Sequence, residues 1–217
     1  MADTESRPTR TLGRKRCGVL SDVAAGPDGK VRCAWASASD SLVRYHDTVW
    51  GKRTYDESAL FEALTLGVFQ AGLSWEIVFR KREAFQTAFH GFNVAKTARM
   101  TSRDVDRLVD DASIIRNRAK IEATVENARA MMSASPTLAE LAKIYKVDRK
   151  HPPRSLAEIP VSTPEAESFA KQLKSQGYHF VGPTSVYAFM QNVGAVNDHI
   201  HGCFRAVDHQ PTPPARR

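Results

Sequence analysis

The sequence predicts an all-α fold, and three observations carry that prediction. Apolar residues recur at helical spacing in one segment after another, helix-capping residues stand ahead of those segments, and alternating strand patterns are nearly absent. A length of 217 residues and a hydrophobic fraction of 42% fit one domain with a core of its own.

Residues 1–30 are rich in Arg, Gly and Asp and carry the turn signal Gly26-Pro27-Asp28-Gly29, which predicts a flexible basic N-terminal arm. Cys17 falls in that arm beside Arg14, Lys15 and Arg16 and is expected to be a free surface thiol. A folded domain is expected over 31–205, followed by a disordered tail over 206–217. Between Val31 and Trp50 the chain collects Cys33, Trp35, Tyr45, His46, Asp47 and Trp50.

Asp56-Glu57 then opens a strongly apolar helix over Glu57–Phe69. It breaks at Gly72 and restarts at Ser74, a good N-cap, with Trp75 just inside. The break presents Gln70, Leu73 and Trp75 together; the plain alternative is a helix corner with Trp75 in the core. The second helix is expected to run from Trp75 to Phe89, with Ile77, Val78, Phe79, Phe85 and Phe89 on its apolar face. Ser102 caps a third helix ending near Val109, and its first turn is acidic. Arg118–Met132 and Leu138–Tyr145 are the fourth and fifth, and Asp148–Pro160 reads as a loop. Thr163-Pro164-Glu165 starts a helix that Gly177 stops, and the stretch from Tyr178 to Thr184 leads into a last one over Ser185–Val193.

Bulk properties narrow the function classes. The formal net charge is +7, which favours a polyanionic partner, nucleic acid first. Basic clusters lie inside the folded part: Arg80-Lys81-Arg82, then Arg116, Arg118 and Lys120, then Lys171 and Lys174. No apolar run approaches the ~20 residues of a membrane helix, and the polar start lacks a signal-peptide core, so a cytoplasmic protein is expected. Three cysteines are an odd count and argue against a disulfide framework.

Three constellations could carry chemistry. His199-Ile200-His201-Gly202-Cys203 sets His199 and Cys203 four apart, on one face if the turn is helical. With Cys33 and His46 they make a Cys₂His₂ set suited to a closed, structural zinc site. Tying Cys33 to Cys203 closes a loop of about 170 residues, worth roughly 4–5 kcal/mol of chain entropy. His201 projects away from His199 and is left out of the set. The second constellation is the helix, the hairpin with Gly177 and Gly182, and the helix begun by Pro183-Thr184. It matches a helix-hairpin-helix phosphate cradle with Lys171 and Lys174 nearby, or else a plain αα-corner. The third is aromatic: Trp35, Trp50 and Trp75 with Tyr45 form either a cage for a flat cationic ligand or a tryptophan-rich mini-core.

Several blocks in order resemble the 3-methyladenine DNA glycosylase I family, within the helix-hairpin-helix DNA glycosylase superfamily. They are Arg32-Cys33-Ala34-Trp35, Tyr45-His46-Asp47, Trp50-Gly51, Gln70-Ala71-Gly72-Leu73-Ser74-Trp75 and Lys81-Arg82-Glu83. Ile114-Ile115-Arg116-Asn117-Arg118 with Lys120-Ile121 follows, then Phe180-Val181-Gly182 and Val196-Asn197-Asp198-His199. The resemblance runs from about Arg32 to Cys203. It implies a monofunctional DNA repair enzyme of base excision repair that flips an alkylated adenine from double-stranded DNA and hydrolyses its N-glycosidic bond. It implies one structural zinc on Cys33, His46, His199 and Cys203, and a base pocket lined by Trp35, Tyr45 and Trp75. DNA contacts are implied for Gln70, Gly72, Leu73, Gly182 and Thr184, with the Gln70–Leu73 corner filling the gap left by the flipped base. Action as a monomer, on the nucleoid, is the accompanying expectation.

No catalytic residue is assigned. A 3-methylated adenine is cationic and leaves without protonation, so binding and orientation can replace a strong general acid. Asn197 stands about where superfamily members carry an Asp, and Asp198 is expected to cap or support His199. The hairpin region has no plausible Schiff-base lysine, in keeping with monofunctional chemistry. One departure stands out. The family's best-understood members carry a Glu in the base pocket eight residues before the pocket Trp, and here that position is Gly67. The alternatives this raises are a glycosylase for a different alkylated base, or a lesion-binding protein weak or silent in excision.

Overall fold

The computed structural model describes residues 22–206. Ten α-helices carry this described part: α1 Asp40–Thr48, α2 Glu57–Gln70, α3 Trp75–Phe79, α4 Arg82–Ala88, α5 Val94–Ala98, α6 Ser102–Asp110, α7 Arg118–Ser133, α8 Leu138–Ile144, α9 Pro164–Ser175 and α10 Pro183–Asn192. The expected mostly helical architecture is present, with one small addition. Strands β1, Val23–Ala25, and β2, Val31–Cys33, pair antiparallel, Val23 opposite Cys33.

That hairpin corrects the N-terminal boundary. Residues 22–30 were expected in a loose arm, but Asp28 accepts from Arg32 at 2.8 and 2.6 Å and closes the turn between the strands. The Gly-Pro-Asp-Gly signal therefore marks a hairpin turn rather than an unstructured arm. Cys17 and the tail from 207 onward lie outside the described residues.

Helix α2 is central because it is apolar on nearly every side, which requires burial all round. Leu60, Ala63 and Leu64 pack against α8, α9 and α10 in one core cluster. Phe61, Leu66 and Phe69 face the other way, into a cluster built by residues of α3 to α7. A smaller cluster of Leu42, Tyr45, Trp50 and Phe79 joins α1 to α3.

The expected Trp75–Phe89 helix is two. The chain bends at Arg80-Lys81, which sends Phe79 toward Tyr45 and Trp50 while Phe85 and Phe89 enter the second cluster. A straight helix could not deliver both sets to separate cores. Lys81 secures the bend by donating from Nζ to the carbonyls of Ala112 and Ser113, at 3.1 and 2.7 Å. Two helices the periodicity did not reveal, α1 and α5, are short and capped by Ser39 and Asn93, whose side chains accept from Leu42 N and Lys96 N. No helix among the described residues is long and apolar enough to cross a membrane.

Candidate functional site

The first site joins the two ends of the fold. Cys33 ends β2, His46 lies on α1, and His199 and Cys203 sit in the turn after α10. One ligand atom from each lies within 4.8 Å of every other, and all four residues are buried. His46 Nε2 is 3.4 Å from Cys203 Sγ; His199 Nδ1 is 3.6 Å from Cys203 Sγ and 3.7 Å from Cys33 Sγ. The His199–Cys203 segment is a non-helical turn rather than the helical turn expected, with Gly202 at φ +91°. Two thiols and two imidazoles converging in a buried space form a donor set that fits a metal ion.

Hydrogen bonding from Cys33, His199, His46 and the Arg205 backbone pulls the Cys203 thiol below its usual range, against its burial. Cys33 is pushed up by its contact with Cys203 and by burial. Burial lowers His199, disfavouring its charged form.

Behind His46 stands a residue whose role the sequence left unread. Asp47 Oδ1 lies 2.9 Å from His46 Nδ1, leaving Nε2 to face Cys203. Arg32 then donates to Asp47 from Nε and Nη2, and Arg205 donates to the Asp47 carbonyl. Burial raises Asp47, but the Arg32 and His46 contacts outweigh it and hold the carboxyl below its usual range.

Asp198, expected to support His199, does something else. It is buried and accepts from Tyr187 Oη at 2.6 Å, Gln191 Nε2 at 2.8 Å and Arg149 Nε at 2.6 Å. The neighbour that caps the His199 turn is Asn197, whose Oδ1 accepts from His199 N. Gly51, at φ +71°, lets His199 approach, since a Cβ there would meet its Nε2 at 2.8 Å.

The second site lies beside the first. Trp35, Trp50, Gln70, Trp75, Gln191 and Asn192 line a cavity of about 120 Å³. Trp35 and Trp50 meet edge to face, with centroids 5.1 Å apart. Tyr45 does not line this cavity. It lines an adjoining one of about 230 Å³ with Glu62, Ala63, Leu66 and Asn192, and its ring tilts against Trp75 at 5.7 Å. Burial raises the Tyr45 phenol, and the nearby Glu62 charge adds to that. Glu62, the nearest carboxylate toward α2's start, is held by Arg82 at 2.5 and 3.1 Å.

The Gln70–Leu73 corner is half exposed to exposed, and Leu73 shows 38% of its surface. Gly72 sits at φ +79°, the left-handed geometry that ends α2, and Ser74 Oγ accepts from Ile77 N to start α3. Lys120 fixes this corner from behind: its Nζ donates to the carbonyls of Phe69 and Ala71, at 2.9 and 2.6 Å.

In the α9–α10 hairpin, Gly182 is the N-cap of α10 in an extended conformation, and Thr184 is exposed in its first turn. Phe180, rather than Gly182, takes a left-handed φ of +57°. Asn127 clamps the hairpin through both His179 backbone groups. The basic clusters divide. Lys81, Arg82 and Lys120 serve structure and Arg118 pairs with Asp106, while Arg80, Arg116, Lys171 and Lys174 stand exposed.

Comparisons with known proteins bear on both sites. The family model described as methyladenine glycosylase matches residues 35–206. The chain is 42% identical over 177 residues to the DNA-3-methyladenine glycosylase 1 of Escherichia coli (strain K12), covering 79% of this chain and 95% of that protein. It is 38% identical to the DNA-3-methyladenine glycosylase of Haemophilus influenzae, covering 79% and 96%. Among solved structures, one described as giving the structural basis of 3-methyladenine recognition by the Staphylococcus aureus 3-methyladenine DNA glycosylase I superposes with TM-score 0.75. It is 32% identical and is covered to 98%, against 82% of this chain. A match of this extent and identity establishes that the chain belongs to the methyladenine glycosylase family.

Proposed function

We propose that this protein is a monofunctional DNA-3-methyladenine glycosylase of base excision repair, acting as a monomer on double-stranded DNA in the cytoplasm. The observation that carries the reading is the chain-long family match, combined with a cavity walled by Trp35 and Trp75 directly behind the Gln70–Leu73 corner. Leu73 and Gln70 enter the duplex and occupy the place of the flipped nucleotide. Gly72 lets the corner approach the strand, and Gly182 and Thr184, at the N-terminus of α10, hold a backbone phosphate. The exposed Arg80, Arg116, Lys171 and Lys174 supply the sequence-independent attraction.

The flipped base stacks on Trp35 and Trp75, and Tyr45 backs Trp75 from the adjoining cavity. A cationic 3-methyladenine gains cation–π attraction there. Water attacks the sugar C1′ as the bond to N9 breaks. The electron pair leaves with the purine, the water's extra proton passes to solvent, and free base and an abasic site remain. The leaving group is already electron-poor, so the pocket's task is to hold it in line and strip its water.

Cys33, His46, His199 and Cys203 would hold one zinc ion, and with four protein donors its contribution would be structural, tying the β-hairpin and α1 to the C-terminal turn.

The test is release of free 3-methyladenine from methylated DNA by the purified protein, followed by chromatography. Release well above buffer is expected, and Trp75→Ala should remove most of it. Binding to DNA with an abasic mimic, without any release, would favour the lesion-binding alternative raised by Gly67.

A further inference from the structure

Helix α10 carries a side-chain amide whose two ends face different surroundings. Gln191 lies one turn after Tyr187, and both reach the same carboxylate oxygen: Asp198 Oδ2 accepts from Tyr187 Oη at 2.6 Å and from Gln191 Nε2 at 2.8 Å. Arg149 fixes the direction of these bonds. Its Nη2 donates to Tyr187 Oη at 2.9 Å, and its Nε donates to Asp198 Oδ1 at 2.6 Å. The single tyrosine hydroxyl hydrogen therefore points at Asp198, and Gln191 must present its NH₂ to the same acceptor. Turning the amide over would set its oxygen against a carboxylate oxygen.

The other end of the amide is Gln191 Oε1, which meets no donor among the described residues. The half-buried side chain lines two cavities. One is the cavity of about 120 Å³ walled by Trp35 and Trp75. The other, of about 360 Å³, shares Trp35, Trp50 and Gln191 with it and reaches Thr184. Thr184 stands two turns before Gln191, about 10 Å along the helix. With the base between the tryptophans and a phosphate at the start of α10, the sugar of the flipped nucleotide falls beside Gln191.

The water that attacks this sugar needs an acceptor to aim it. No carboxylate lines the smaller cavity. Asp198 lines the larger one, but three donors already occupy its oxygens. Among the amides of the smaller cavity, Asn192 Oδ1 is taken by the Tyr45 hydroxyl, and Gln70 belongs to the wedge corner. The Gln191 carbonyl oxygen is the acceptor that remains.

Resting on the glycosylase reading, we infer that Gln191 is a catalytic residue whose Oε1 accepts a hydrogen bond from the nucleophilic water and aims its oxygen at C1′. Asp198 is the positioning residue that keeps the amide turned this way. An amide oxygen is too weak a base to take the proton. The C1′–O bond forms as the C1′–N9 bond breaks, the electron pair leaves with the purine, and the water's extra proton passes to solvent. With a cationic leaving group, orientation of the water is the contribution the protein has left to make.

The test measures single-turnover release of 3-methyladenine from methylated DNA by the wild type, Gln191→Met, Asp198→Asn and the double variant. Affinity for free 3-methyladenine, read by quenching of tryptophan fluorescence, and melting temperature are measured alongside. Gln191→Met keeps the length of the side chain without the acceptor. It should release base about tenfold more slowly, the rate equivalent of one hydrogen bond made in the transition state. Its free-base affinity should stay within about twofold of wild type, since water and not the base is the partner. Asp198→Asn offers an NH₂ to Gln191, so the amide can turn over and withdraw its oxygen from the cavity. Similar slowing is expected, and the double variant should be about as slow as either single one. Should Asp198→Asn fail to fold, Gln191→Met decides alone. A Gln191→Met rate within about twofold of wild type overturns this inference and leaves the glycosylase reading standing. So does a loss of free-base affinity as large as the loss of rate, or a double variant slowed by the product of the single effects. A wild type that releases no base overturns the glycosylase reading, and this inference with it.

Discussion

The Lys120 ammonium lies 2.6 Å from the Ala71 carbonyl and 2.9 Å from that of Phe69, so a buried cation on α7 completes the last turn of α2. Those carbonyls have no partner within the helix, and a positive group at a helix C-terminus also answers its dipole. Lys120 therefore fixes the point where the chain leaves α2 for Gln70–Leu73. Lys120→Met is expected to cost about 2 kcal/mol of stability, as for charge-assisted bonds lost from a buried site. Chemical denaturation measures that cost. Excision should fall more than stability explains, because the corner loses its anchor.

Leu73 is exposed on that corner, so its loss touches little of the fold. Leu73→Ala should stay within about 0.5 kcal/mol of wild-type stability. Affinity for duplex DNA carrying an abasic mimic should drop about fivefold, as the apolar wedge no longer replaces the extruded base. Fluorescence anisotropy with labelled duplex reads the affinity.

Gly67→Ala is expected to stabilise the protein by about 0.5–1 kcal/mol. The added methyl group meets no atom of another element, and the unfolded chain loses backbone freedom. A denaturant midpoint lower than wild type would mean that the space beside α2 is filled.

The proposed structural zinc predicts a separation of stability from chemistry. A chelator, or Cys203→Ala, should lower the melting temperature by roughly 10 °C, as expected when a loop spanning most of the chain is released. Below the new melting point excision should persist, since the ion touches no reacting atom. Metal analysis should find about one zinc per chain in the wild type and much less in Cys203→Ala.

Far from both sites, Glu140 accepts from the Thr137 backbone N–H and hydroxyl, each at 2.8 Å, and Thr137 accepts from Glu140 N. This capping box starts α8 and holds the Glu140 carboxyl below its usual value, chiefly through the backbone bond. With the folded pKa depressed, the stabilisation is full above the unfolded value near 4.5 and disappears as pH falls through the folded one. Glu140→Gln should therefore differ from wild type in denaturation midpoint at neutral pH and converge with it in acid. Excision at neutral pH should be unaffected.

Local patterns made much of this protein legible in its sequence. Caps such as Ser74 and Thr163 and the apolar spacing of α2 and α7 are short-range signals, and the helices they announce are present. The buried group of Cys33, His46, His199 and Cys203 was readable because thiol and imidazole form a distinctive donor set, and the ordered blocks around it led to the family. Other features depended on which groups meet across the fold. Asp198 was expected beside His199, yet its carboxylate turns to Tyr187, Gln191 and Arg149. Asp47 takes the supporting role behind His46 instead, because α1 aims its side chain at Arg32 and the ring together. The break between α3 and α4 follows from two cores competing for one apolar segment. Gly67 could be seen in the sequence as a missing carboxylate, but that a side chain there would meet no atom of another element is visible only in the folded protein. Side-chain type and spacing are one-dimensional and survive in the sequence. A cavity such as the one Gln70 and Asn192 line together is a property of the packing between helices more than a hundred residues apart, and only the tertiary structure decides it.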